Sequence, residues 1–171
     1  MKRSKSIFLC VLLVFFCLCG CSSESAIPTQ HSVVLIAKST RTEFWLSVFA
    51  GAEAAATEYN VKLTIIGPET EEDYEAQNAM VERAVQQKAE AIVFSAIDFE
   101  NNAGAIDAAA QAGVQVVAID SSVDSAAVKT YIGTDNYAAG RMAAQAALGR
   151  VEGTLCVGIV NYDVSSANGQ E

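Results

Sequence analysis

Apolar runs alternate with amphipathic stretches along most of the chain. Five short apolar runs are typical of buried strands, at residues 33–37, 61–66, 91–94, 114–119 and 128–132, and a sixth run at 155–160 predicts one further strand. Helical spacing between the runs predicts four helices, over residues 42–59, 70–88, 101–112 and 135–148. This alternation predicts an α/β fold with an open parallel sheet, right-handed crossovers and helices on both faces.

The side chains that follow the predicted strands are the candidates for a binding site, because ligands of open parallel sheets bind beyond the carboxyl ends of the strands. Asp120 directly follows a strand and can accept two hydrogen bonds from hydroxyl groups. Phe44 and Trp45 begin the first helix and offer an aromatic plate for the C–H face of a sugar. Phe44 shares an apolar stripe with Val48 and Ala55, so we expect Phe44 to pack in the core and Trp45 to face the cleft. The alternatives are that both rings simply pack and that Asp120 is an ordinary turn carboxylate.

Motifs for nucleotide binding and for nucleophilic catalysis are missing from the sequence. The loop after the first strand has neither G-x-G-x-x-G nor G-x-x-x-x-G-K-[ST], and no G-x-S-x-G elbow occurs. Asp98 and Asp120 follow strands and leave an exported α/β enzyme as an alternative. We expect no cofactor and no metal site.

The charge balance disfavours nucleic acid as a partner. The 171 residues contain 11 Lys and Arg against 20 Asp and Glu, and three of the positive charges lie within the first five residues. Phosphate binding requires a Lys- and Arg-rich surface, which the remaining eight positive charges do not provide.

The first 21 residues have the pattern of an export signal. A basic start precedes an apolar stretch at residues 7–19, which is too short to span a bilayer. Leu18-Cys19-Gly20-Cys21 resembles a bacterial lipobox, and this resemblance implies cleavage before Cys21 and lipidation of its thiol. The Ser-rich segment that follows predicts a flexible tether, in which the single His31 is expected to be inert. Cys156, in an apolar run, is expected to be a buried core residue.

Several stretches of the body, taken in order, resemble one protein family. They are residues 34–38 followed by Glu43-Phe44-Trp45, then residues 91–95, 112–120 and 131–136 with Gly140. Together they resemble the type I periplasmic binding proteins, and in particular the ribose/galactose group of substrate-binding proteins of ABC importers. The resemblance covers nearly everything from residue 33 to residue 171. It implies two lobes that close about a hinge on a sugar stacked against aromatic side chains.

The resemblance also implies roles for individual residues. The implied ligand contacts are Lys38, Phe44, Trp45, Ser95, Asp120 and Ser121. The implied hinge, at the first crossover between lobes, consists of Gly133, Thr134 and Asp135. Ser121 stands where ribose-type members carry Arg, and Lys38 is not the usual Ser or Asn, so the identity of the sugar stays open.

Four segments are expected along the chain. They are a lipoprotein signal peptide (1–20), the lipidated Cys21 with its tether (21–31), an N-terminal lobe (32–133), and a crossover with the start of a C-terminal lobe (134–171). Family members are much longer, so the second lobe is expected to be truncated here.

The expected function is that of a lipoprotein anchored on the periplasmic or outer face of the cell membrane, which delivers a sugar or polyol to the permease subunits of an ABC importer. The alternatives are a ligand-sensing lipoprotein that partners a membrane histidine kinase and, less favoured, the exported enzyme.

Overall fold

The computed structural model describes residues 30–171, so the predicted signal peptide, Cys21 and most of the tether lie outside the described residues. Its strands are β1 (Ser32–Ile36), β2 (Lys62–Ile66), β3 (Ala91–Phe94), β4 (Gln115–Ile119) and β5 (Val128–Ile132). Its helices are α1 (Glu43–Glu58), α2 (Tyr74–Gln86), α3 (Ala103–Gln111), α4 (Asn136–Leu148) and α5 (Ala167–Gln170). None of the helices in this part of the chain is long and apolar enough to cross a bilayer.

The five strands form one parallel sheet in the order β2-β1-β3-β4-β5. The prediction of an α/β fold with a parallel sheet is therefore confirmed. The strand order reverses at β1, because β2 pairs on one side of it and β3 on the other. At such a switch point the neighbouring connections run to opposite faces, which opens a crevice beyond the carboxyl ends of β1 and β3.

Helices pack on both faces of the sheet because alternate residues of β1 point to opposite sides. Val34 and Ile36 point into a core that α2 and α3 cover with Val81 and Ile106. On the other face, Leu35 packs in a cluster with α1. This second face is covered only in part, and an apolar groove of about 740 Å³ runs along it beside α1.

Side-chain caps determine where three of the helices begin. The side chain of Thr42 accepts from the backbone N–H of Trp45 at the start of α1, and Asp135 caps α4 as predicted. The predicted start of the second helix near residue 70 is wrong. Asp73 accepts from the N–H of Ala76 at 2.8 Å, so α2 begins at Tyr74.

The prediction of a sixth strand at residues 155–160 is also wrong. A strand is stable only when its backbone groups pair with a neighbour, and within residues 30–171 no strand pairs with this run. Leu155 is half-buried, but the side chains of Val157, Ile159 and Val160 are solvent-exposed, up to 99% at Val160. Cys156 is accordingly exposed rather than buried in a core.

The end of the predicted tether contacts the sheet through His31. Nδ1 of His31 lies 2.7 Å from Oε2 of Glu90, and the other oxygen of Glu90 accepts from the N–H of Ser32 at 3.1 Å. The hydrogen bond from His31 lowers the pKa of Glu90, and the bond from Ser32 lowers it further. His31 therefore forms a hydrogen-bonded contact where the chain enters β1, and its lack of a catalytic or metal-binding role stays a prediction.

A candidate ligand-binding cleft

A cavity of about 460 Å³ lies beyond the carboxyl ends of the strands. One wall comes from the loops after β1, β2 and β4 and from the start of α1, and its residues are Lys38, Thr42, Phe44, Trp45, Glu71 and Asp120. The opposite wall comes from the C-terminal segment, with Asn161, Tyr162, Asp163, Ser166, Asn168 and Gly169. The cavity thus stands where the strand order predicts a ligand site.

Lys38 and Asp120 form an ion pair in this cavity. Nζ of Lys38 lies 3.7 Å from Oδ2 of Asp120, and the two side chains are 8% and 30% exposed. At this distance the contact is an attraction between charges rather than a hydrogen bond. Within residues 30–171 the ammonium group makes no hydrogen bond to protein, so its three donors are available to a molecule in the cavity.

Asp120 has a backbone conformation that aims its carboxylate at the end of β1. Its φ of 58° lies in the left-handed region, which an Asp tolerates better than most residues. The carbonyl of Asp120 accepts a hydrogen bond of 2.7 Å from the phenol of Tyr131 on β5. A Cβ on Gly133 would overlap that phenol, so glycine at 133 leaves the space that this bond requires.

The two serines predicted for the site are both fully buried. Oγ of Ser95 donates to Oδ2 of Asp120 at 3.3 Å, which gives the carboxylate a second partner beside Lys38. Ser121 contacts its neighbours through its backbone, which donates to Ile119 and accepts from Ala96. In the described part of the chain its hydroxyl has no protein partner. Ser95 therefore supports the cavity wall from behind, while a ligand contact of Ser121 stays a prediction.

The predicted orientation of the two aromatic residues is wrong. Trp45 is 1% exposed and packs with Val48 and Ala52 of α1 against Leu35, whereas Phe44 is 55% exposed. Both rings line the cavity, in an edge-to-face contact with their centroids 5.1 Å apart and their planes at 81°. The ring of Phe44 is therefore accessible to a ligand, and the buried ring of Trp45 packs against it.

Gln77, which the sequence analysis missed, connects the strand ends beneath the cavity. Its Nε2 donates to the carbonyls of Ala37 at 2.9 Å and Ser95 at 2.8 Å, and its Oε1 accepts from the N–H of Ile97 at 3.0 Å. The side chain is fully buried. The signal for it is its spacing, because Gln77, Val81 and Ala84 lie on one face of α2 and all three are buried.

Asp98, one of the two carboxylates that left an enzyme as an alternative, uses its side chain to stabilise a turn. Its Oδ1 accepts from the backbone N–H groups of Glu100 and Asn101, and its Oδ2 accepts from the Asn101 side chain. Burial acts to raise the pKa of Asp98, but these hydrogen bonds outweigh burial and lower it. A carboxylate stabilised in this way is a poor proton acceptor. Asp98 also does not line the cavity.

The C-terminal segment is joined to the sheet by few contacts. The carbonyl of Ser165 accepts from the N–H of Phe99 at 2.8 Å, and Ser166 is buried beside the cavity. Burial raises the pKa of Tyr162, and the carboxylates of Glu71, Glu72 and Asp163 raise it further. Tyr162 therefore presents a neutral phenol that can donate a hydrogen bond into the cavity.

Gly133, Thr134 and Asp135 lie between β5 and α4, at the exposed edge of the sheet. Their place in the chain fits the predicted first crossover, and their action as a hinge stays a prediction. Within residues 30–171 no cluster of three or more His, Cys, Asp or Glu side chains has the geometry of a metal site.

Known relatives share both sequence and fold with this chain. The ribose import binding protein of Bacillus subtilis is 29% identical over 153 residues, which cover 84% of this chain and 49% of that protein. The chain spans about half the length of the curated relatives it matches.

Two solved structures are similar to the fold described above. A sugar transporter from Clostridium phytofermentans superimposes with a TM-score of 0.74 and 32% identity over 82% of this chain and 53% of that one. A carbohydrate transporter solute-binding protein from Agrobacterium radiobacter, in complex with D-arabinose, gives a TM-score of 0.67 and 35% identity over 71% of this chain and 42% of that one. The sequence model described as a periplasmic binding protein domain matches residues 33–171. The chain belongs to the periplasmic binding protein family.

Proposed function

We propose that the cleft of this chain captures a neutral sugar or related polyol outside the cytoplasm, and that the protein passes this ligand to the permease of an ABC importer. The observation that carries the proposal is the ion pair of the buried Lys38 with the partly exposed Asp120, in the same cavity as the exposed ring of Phe44. A sugar hydroxyl can accept from the Lys38 ammonium and donate to the Asp120 carboxylate at the same time. The apolar C–H face of the sugar ring would then cover Phe44.

The charge of the cleft supports a neutral ligand. Lys38 is balanced by Asp120, and Glu71 and Asp163 add two further carboxylates to the lining. An anionic ligand such as a sugar acid would meet these carboxylates, and like charges repel. The relatives also favour this class, since one is named as a ribose import protein and another was crystallised with D-arabinose.

The membrane anchor and the role in transport are parts of the same proposal. A lipid on Cys21 would hold the chain at the membrane surface, so that the permease and the binding protein meet there. Hinge closure between lobes would couple ligand capture to docking on the permease. The family match favours binding over catalysis, and the proposal therefore includes no chemical step.

The fluorescence of Trp45 provides the test, because Trp45 is the only tryptophan in the chain and lies 5.1 Å from Phe44 between ring centroids. The full chain is titrated with ribose, arabinose, hexoses and polyols, and with the matching sugar acids. We expect a saturable change in fluorescence with a neutral sugar and none with the matching sugar acid.

Two variants on α1 or beside it distinguish capture at the cleft from binding elsewhere. Phe44→Leu retains an apolar side chain but removes the aromatic plate, and should weaken binding about two- to tenfold. Tyr59→Leu removes an exposed aromatic ring at the far end of the same helix and should leave the affinity unchanged. No saturation with any neutral sugar, or equal losses in the two variants, would contradict the proposal.

A further inference from the structure

We propose that Glu71 is a positioning residue of the cleft, which fixes the angle of the Phe44 plate by accepting the indole N–H of Trp45. This inference rests on the proposed function, because it assigns a role within the same site. Glu71 lies in the loop between β2 and α2, far in sequence from α1. Its Oε1 accepts from Nε1 of Trp45 at 2.9 Å.

Trp45 needs this acceptor because of its surroundings. The indole is 1% exposed and is packed among apolar side chains of Leu35, Val48 and Phe49. A buried N–H without a partner is strongly disfavoured. Among residues 30–171, Glu71 is the partner that the indole N–H has. Without Glu71 the ring would have to turn towards water in order to satisfy its N–H.

The orientation of Trp45 is transmitted to Phe44 by the contact between the two rings. Their planes meet at 81° with centroids 5.1 Å apart, an edge-to-face geometry that depends on the angle of both rings. On its other side Trp45 stacks on Phe49, with an angle of 27° between the planes. Phe44 itself is 55% exposed, and its ring contacts the edge or face of the Trp45 ring. A change at Glu71 would therefore alter the surface that Phe44 presents to a sugar.

The neighbouring residue provides a matched control. Glu72 is a carboxylate in the same loop but is exposed, and it does not line the cavity. Glu71→Ala removes the acceptor, Glu71→Gln retains a carbonyl oxygen that can accept from the indole, and Glu72→Ala removes a neighbouring charge alone. A role through charge and a role through the indole hydrogen bond thus give different results.

The experiment combines affinity with a signal from the single tryptophan, in the full chain labelled with ¹⁵N. The indole N–H gives one resonance, which reports its hydrogen bond before any sugar is added. We expect Glu71→Ala to move this resonance and to weaken sugar binding about two- to tenfold, the range of an aromatic contact. Glu72→Ala should retain the affinity of the wild-type chain, and Glu71→Gln should weaken binding less than Glu71→Ala because it keeps an acceptor for the indole.

A double-mutant cycle with Phe44→Leu separates positioning from direct contact with the sugar. If Glu71 acts through Phe44, Glu71→Ala should have no further effect on affinity once Phe44 is replaced. Equal losses in the two backgrounds, or an unchanged indole resonance in Glu71→Ala, would overturn the inference. Sugar binding by the wild-type chain together with full affinity in Glu71→Ala would overturn this inference alone. A wild-type chain that binds no sugar would overturn the proposed function and, with it, the role assigned here.

Discussion

Replacing Gln77 by Met removes the polar group that joins the ends of β1 and β3 while nearly preserving side-chain length. Gln77 makes three hydrogen bonds, to the carbonyls of Ala37 and Ser95 and to the N–H of Ile97. All three lie in a buried region, and the side chain is fully enclosed. Methionine satisfies none of these backbone groups, so each is left buried without its partner.

The expected loss of stability follows from this count of orphaned groups. A buried donor or acceptor that loses its partner costs about 1–3 kcal/mol, and the burial of the apolar methionine side chain offsets about 1–2 kcal/mol. With three such groups, we therefore expect Gln77→Met to lower the free energy of unfolding by about 1–8 kcal/mol, with a middle value of about 4 kcal/mol. A domain of ordinary stability has about 5–15 kcal/mol in all, so this is a large fraction.

Urea unfolding followed by Trp45 fluorescence measures this loss, and hydrogen exchange of the Ile97 amide locates it. Gln86→Met is the matched control, because Gln86 lies on α2 but is exposed. The control should change stability by less than about 0.5 kcal/mol. A loss below about 1 kcal/mol in Gln77→Met, or full protection of the Ile97 amide, would refute the assignment of Gln77 as the link between the strand ends.

Three further predictions test other parts of the molecule. The hydrogen bonds to Asp98 lower its pKa, so they stabilise the fold at pH values above the pKa of Asp in the unfolded chain, about 3.9, and this stability is lost as the pH falls through the lower pKa of the folded chain. Asp98→Asn should reduce this loss of stability in urea unfolding measured below pH 5. An unchanged dependence of stability on pH would contradict the prediction. Gly133→Ala should displace the Tyr131 phenol and lower the free energy of unfolding by about 1 kcal/mol in the same assay. In a Tyr131→Ala background the same substitution should have no effect on stability, and equal losses in the two backgrounds would refute the explanation. Cys21→Ser should abolish incorporation of labelled palmitate in a bacterial host, and continued labelling would exclude Cys21 as the lipidated residue.

The periodicity of the sequence predicted the sheet well because most of its strands are short apolar runs that their neighbours bury, although β5 is a largely exposed edge strand. All five strands of the sheet and four of its helices were predicted. The run at 155–160 has the same composition but no neighbouring strand within residues 30–171. Apolar composition indicates what a segment can form, whereas pairing depends on the rest of the fold, and that is why this strand and the burial of Cys156 were predicted wrongly.

The residues of the cleft were predicted less completely than the strands. Its place after a strand identified Asp120, and the family resemblance implied Lys38 and Ser95. All three come together because parallel strands deliver their next residues to one edge of the sheet. The orientation of α1 was ambiguous, since Phe44 and Trp45 both fit an apolar stripe with Val48, and helical spacing alone does not decide between two adjacent residues. No sequence pattern indicated Glu71. It lies in a loop without periodicity, and its partner Trp45 is 26 positions away in the sequence.

The direction of β1 has a consequence for how the protein would meet a membrane. The chain enters the sheet at Ser32, beside the His31–Glu90 contact, and Lys38 emerges at the opposite end. Five residues of strand at 3.3 Å each separate the two ends by roughly 16 Å. An attachment through the N-terminal segment would pull on the floor of the sheet, so the mouth of the cleft would point towards the surrounding fluid. A ligand would then reach the cleft without passing the lipid surface.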